Sequence, residues 1–174
     1  MFHSAHSALA WAYETINRPI VKMSSVNHMR EQNTRRMPNE AIMDLSVHEQ
    51  HAQAAAIIGM AERLNDAAGR EYVAARFGDM TRPEDVTIMM HRIFSALGTG
   101  AHDKRGVYEF LRCYFGGERG YKEIARQMKC RNTTALEIRN KVYDTLDWIG
   151  TRAMAEMSDT LAKHRLIESA QMYA

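Results

Sequence analysis

The sequence predicts an all-α protein, on three observations. Apolar residues recur three and four positions apart along most of the chain, the period that gathers them on one face of a helix. Proline is limited to three of 174 residues, while the helix-favouring Ala, Met, Arg and Glu are common. The one stretch that alternates, residues 19–26 (PIVKMSSV), has no convincing second strand to pair with and cannot form a sheet alone. About seven helices are expected. An N-terminal half, residues 1–98, supports or dimerises the protein, and a C-terminal half, 99–174, holds a tri-helical bundle and a final long helix.

The first helix is read in HSALAWAYETINRP, where Leu9, Ala12, Tyr13 and Ile16 share a face, Ser4 or Ser7 caps the start and Pro19 ends the segment. Residues 19–26 follow as an extended connector. Residues 27–39 (NHMREQNTRRMPN) are polar and carry Arg30, Arg35 and Arg36. They read as a linker near 27–40, or as a basic arm that orders on a partner such as DNA or polymerase. A helix over 46–68 opens on the capping box S-V-H-E, buries Ala54, Ile57, Ile58, Ala61 and Leu64, and stops before Gly69. A short helix over 70–77 is stopped by Gly78. Thr81-Arg-Pro-Glu puts proline in the first turn of the next helix, whose inner face carries Val86, Met89, Met90, Ile93, Phe94 and Leu97 up to Gly98. The glycines of GTGAH, residues 98–102, mark the boundary between the halves.

Asp103 is placed to cap the next helix, which buries Val107, Phe110, Leu111 and Tyr114 before Gly116 and Gly117. Residues 121–146, YKEIARQMKCRNTTALEIRNKVYDTL, organise the rest. They read as a short helix over 121–128, a turn of Lys129, Cys130 and Arg131, and a second helix opening at Asn132, a candidate N-cap. That is the layout of a helix-turn-helix. Ile124 and Met128 face inward, Ala125 is small enough for a close helix crossing, and Cys130 pins the turn to the core. Ala135, Ile138, Val142 and Leu146 continue the buried stripe, which Trp148 and Ile149 extend to Gly150. A final helix from 151 to about 167 carries Met154, Met157, Leu161 and Leu166. Arg131, Asn132, Thr133, Thr134, Glu137, Asn140 and Lys141 are left on the opposite face, where they can bond to base edges or phosphates; Lys122, Arg126 and Lys129 are assigned to phosphates.

The run 105–146, RGVYEFLRCYFGGERGYKEIARQMKCRNTTALEIRNKVYDTL, resembles region 4 of bacterial sigma factors. Tyr114, Phe115, Gly117, Tyr121, Glu123, Ile124, Ala125, Met128, Cys130 and Thr134 fall in step with the family pattern over about a quarter of the chain. Two departures stand out. Lys129 occupies a turn position where the family usually has glycine, which implies a non-glycine residue in a left-handed conformation or a reshaped turn. Ala135 and Glu137 replace a commoner valine and a basic or polar residue. The aromatic promoter-melting segment of a complete sigma factor has no counterpart upstream. In size and in carrying such a module the chain is similar to phage late-gene antitermination proteins of the Q type.

A net charge of +2 says little by itself, but residues 103–152 hold eleven basic residues against seven acidic ones, so the surplus gathers at the module. Cys113 and Cys130 are the only cysteines, the first at an apolar helix position and the second the apolar residue of the turn, which points to reduced, buried thiols. His48 with His51, and His3 with His6, stand three apart, yet neither pair has cysteines or carboxylates at ligand spacing. No phosphate loop, dinucleotide fingerprint or nucleophile elbow occurs, and no apolar run approaches the ~18 residues needed to span a bilayer. The expectation is a non-enzymatic regulator in the cytoplasm of a bacterial host, without metal or cofactor and without membrane contact. Its partner is double-stranded DNA, with RNA polymerase and a second copy of the chain as further candidates. The alternative is an adaptor that docks on polymerase or another protein through its apolar helix faces.

Overall fold

The structure, a computed structural model, describes residues 1–18, 45–98 and 103–167. The connector over 19–26, the linker or arm near 27–40 and residues 99–102 lie outside the described residues. The described part is all-α, with seven helices: α1 (Ala5–Ile16), α2 (Val47–Ala61), α3 (Ala67–Gly78), α4 (Thr87–Leu97), α5 (Lys104–Tyr114), α6 (Tyr121–Gln127) and α7 (Asn132–Lys163). None of these helices is long and apolar enough to cross a membrane. The chain packs as two compact units, one of Met1–Arg63 with Met154–Ala174, the other of Leu64–Ala153.

In the first unit α1 packs on α2. Ser4 caps α1 through a reciprocal pair: the Ser7 amide donates to Ser4 Oγ at 3.2 Å, and the Ser4 amide donates to Ser7 Oγ at 3.1 Å. Leu9 and Ala12 are buried as their spacing requires, but the buried face turns further toward Trp11 and Thr15, leaving Ile16 exposed. Trp11 packs against Phe2 with ring centroids 5.2 Å apart, and the Phe2 amide donates to the Leu166 carbonyl at 2.7 Å. α2 opens on the Ser46–Glu49 capping box, whose hydrogen bonds hold the Glu49 carboxyl below its ordinary pKa.

Two expected boundaries move. α2 ends at Ala61 rather than running to 68; the chain turns at Glu62 and Arg63 and restarts at α3, where Asp66 accepts from the Ala68 amide at 3.1 Å. Gly69 therefore lies inside α3, where a Cβ would stand 3.2 Å from that of Ala153. α4 begins at Thr87 instead of near Thr81, because residues 83–86 form a turn. No side chain next to that helix start caps it. The Glu71 carboxylate reaches from α3 and accepts from the Ile88 and Met89 amides at 3.0 and 2.7 Å, joining the two helices through the cap.

In the second unit α4, α5, α6 and α7 share a core. Met89, Ile93 and Leu97 of α4 meet Val107, Phe110 and Leu111 of α5, Ile124 and Ala125 of α6, and Ala135, Ile138, Val142, Leu146 and Ile149 of α7. Residue 98, where the sequence places a boundary, falls within this unit, and α4 shares its core with the helix-turn-helix helices. Asp103 caps α5 by accepting from the Arg105 and Gly106 amides, and Gly116 closes it at φ +114°.

α7 corrects two further expectations. It continues unbroken through Gly150, so the recognition helix and the final helix are one helix of 32 residues, about 48 Å long. Gly150 is a contact point: a Cβ there would run into the Tyr72 ring and stand 2.6 Å from its hydroxyl oxygen. Trp148 does not extend the buried stripe. It lies about 200° around the helix from Leu146 and is 50% exposed.

Gly150→Ala is expected to lower stability by about 1–3 kcal/mol, because the aromatic ring must move against a packed core. Gly59, also inside a helix but with no described atom near its added Cβ, gives the opposite sign: Gly59→Ala should raise stability by about 0.5–1 kcal/mol. Thermal unfolding followed by circular dichroism measures both.

Candidate nucleic-acid interface

α6, the turn and the start of α7 form the candidate reading module. α6 ends in a paired hydrogen-bond closure: the Cys130 amide donates to the Ala125 carbonyl and the Lys129 amide to that of Arg126, both at 3.1 Å. The residue at the left-handed position of this closure is Lys129, at φ +53°. The turn thus keeps its shape with a lysine where glycine is the easy choice, and a charged side chain stands at its tip. Cys130 follows, half-buried against the core. Gly106 lets α5 approach so closely that a Cβ there would overlap the Met128 side chain. Met128 itself is half-buried and Ile124 fully buried.

Arg119 ties the two helices that support the turn. Its guanidinium lies 3.6 Å from the Glu109 carboxylate on α5, donates to Gln127 Oε1 at 2.8 Å, and reaches Glu123 on α6 at 3.3 Å. On the far side of α5, the Tyr114 hydroxyl donates to Asp147 Oδ1 at 2.5 Å and lies 3.3 Å from the Tyr72 hydroxyl. Burial, then these hydrogen bonds, push the Tyr114 phenol well above its ordinary pKa, so it remains a neutral donor. α3, α5 and α7 are pinned together at this point.

All ten candidate residues are exposed: Lys122 and Arg126 on α6, Lys129 and Arg131 in the turn, and Asn132, Thr133, Thr134, Glu137, Asn140 and Lys141 on α7. The stripe beneath them, Ala135, Ile138, Val142 and Leu146, is buried as expected. Asn132 is corrected from cap to first helical residue; the Arg131 carbonyl accepts the first helical bond, from the Ala135 amide at 3.0 Å. Lys122, Arg126, Lys129, Arg131 and Lys141 make no ion pair among the described residues. Asn140 is oriented: its Oδ1 accepts from Arg139 Nη2 at 3.2 Å, and the Arg139 guanidinium lies over the Tyr143 ring at 5.5 Å.

Three residues absent from the sequence-based list share this exposed surface. Asp144 stands four residues after Asn140, in line with it and Glu137, so its spacing could have found it. Leu136 is an exposed apolar residue beside them. Trp148, further along α7, has the Arg92 and Arg152 guanidiniums 5.7 and 4.8 Å from its ring centre, and Arg92 is held by Asp66 at 2.8 and 2.7 Å. Cys113 lines a shallow cleft with Glu109, Arg112, Arg119 and Glu123. Its thiol donates to the Arg119 carbonyl at 3.2 Å, and burial raises its pKa above the ordinary value.

Lys129→Gly is expected to raise stability by about 0.5–1 kcal/mol, by relieving the left-handed residue, and at the same time to weaken retention on duplex DNA. Thermal melting and a gel-shift on one preparation separate the two effects. The raised thiol pKa makes the thiolate of Cys113 scarcer than that of an unperturbed cysteine at pH 8, so iodoacetamide should modify Cys113 more slowly than a free cysteine, with the rate still climbing above pH 9 as the thiolate forms; peptide mass analysis follows the site. No protein-family model and no curated protein matches this sequence.

Proposed function

We propose that this protein is a DNA-binding transcription regulator that lays the start of α7 in the major groove, with α6 and the turn against the phosphate backbone. The observation that supports it is the separation of faces. A fully buried stripe underlies a polar surface of ten exposed residues, and its cations concentrate on α6 and the turn, where phosphate contacts are made in helix-turn-helix proteins. Arg131, Asn132, Thr133, Thr134, Glu137, Asn140 and Lys141 belong to base edges and nearby backbone, and Lys122, Arg126 and Lys129 to phosphates. The resemblance to sigma region 4 and to phage antitermination proteins supports a phage or prophage regulator of the antiterminator kind, acting in the bacterial cytoplasm without enzymatic chemistry.

The adaptor reading draws on a different observation, the exposure of Leu136 and Trp148 on α7, which suits a protein partner such as RNA polymerase. The two readings part on one measurement. Lys122→Ala, Lys129→Ala and Lys141→Ala should each weaken binding to duplex DNA of any sequence and reduce the slope of log affinity against log salt by about one. Fluorescence anisotropy across a salt series reads this directly, and unchanged retention in all three variants would sink the DNA-binding assignment.

A further inference from the structure

On α7, Thr133, Glu137, Asn140 and Asp144 follow at spacings of four, three and four residues and form one exposed row opposite the buried stripe. This row holds two carboxylates and no cation. Glu137 stands four residues before Lys141, the order that favours an ion pair on a helix, yet among the described residues it makes neither ion pair nor hydrogen bond. Its carboxylate is an unengaged, acceptor-only group. Five residues past Asn132, it lies about 7.5 Å along the helix from its first residue, within the N-terminal part that meets base edges in this motif. Asp144, about 18 Å along, lies beyond that part.

Resting on the DNA-binding reading above, we infer that Glu137 is a specificity-determining residue that selects a cytosine in the major groove. A carboxylate gains nothing from backbone phosphates, which repel it; Lys122, Arg126, Lys129 and Arg131 supply the attraction. The base edges then decide. Guanine presents two acceptors, thymine an acceptor and a methyl, adenine an acceptor beside its amino group, and cytosine an amino donor alone. Only cytosine offers an acceptor-only side chain a donor with no opposing acceptor on the same base. Glu137 thus acts by exclusion as much as by attraction, since guanine or thymine in that place leaves a desolvated carboxylate unpaired.

The test is selection from randomised duplexes by the full chain, comparing wild type with Glu137→Gln and Glu137→Ala. Glu137 is exposed and without a partner among the described residues, so both variants should fold. Wild type should enrich a fixed cytosine at one position, and replacing that base should weaken its binding roughly tenfold. Glu137→Gln should move the preference there toward adenine, and Glu137→Ala should leave none, with affinity for random duplex equal to or above wild type. Duplex binding without a cytosine preference, or with the same preference in Glu137→Ala, overturns this inference and leaves the DNA-binding reading standing. Failure of the wild-type chain to bind any duplex overturns both.

Discussion

The burial of Ala135, Ile138, Val142, Leu146 and Ile149 is the constraint on which the module depends. It fixes how α7 is rotated about its own axis, and that rotation decides which side chains look outward. A turn of one residue, about 100°, would carry four large apolar side chains into water, each worth about 1.5–3 kcal/mol of burial. Against a typical total stability of about 5–15 kcal/mol, such a slip is not tolerated. The polar surface of α7 is therefore as well defined as the core beneath it, and the hydroxyl chain from Tyr72 through Tyr114 to Asp147 holds the same orientation from the side.

Much of this was legible in the chain itself. The spacing of Ile124, Met128, Ala135, Ile138, Val142 and Leu146 places the inner face, and it does so because a helix repeats locally. The capping boxes at Ser4 and Ser46 and the cap at Asp103 are likewise local, needing only residues within one turn. The exposure of the candidate residues on α6 and α7 follows from the same period, while the engagement of Asn140 by Arg139 depends on rotamers that no spacing rule reports.

What escaped was set by residues far apart in sequence. Gly69 and Gly150 read as helix stops because glycine weakens helices, but each is a place where a neighbour presses on the backbone, Ala153 at one and Tyr72 at the other. Thr81-Arg-Pro-Glu has the chemistry of a helix start, yet α4 takes its cap from Glu71, seventeen residues before Ile88. Trp148 adjoins Ile149 in sequence and so looked like part of the stripe, although its angle on the helix excludes it. Lys129 is the converse case. The sequence posed a choice between a strained lysine and a different turn, and the hydrogen bonds of the closure outweigh the strain.

The placement of the two tryptophans has an optical consequence. Trp11 is 4% exposed in the first unit and Trp148 50% exposed in the second, and the chain has no others. An indole in an apolar setting emits at shorter wavelength than one in water, so the native spectrum sums a bluer contribution from Trp11 and a redder one from Trp148. Loosening of the first unit moves the bluer contribution to the red, whereas disturbance near the guanidiniums beside Trp148 alters the intensity of the redder one. The intrinsic emission of the unlabelled chain therefore distinguishes opening of one unit from events in the other.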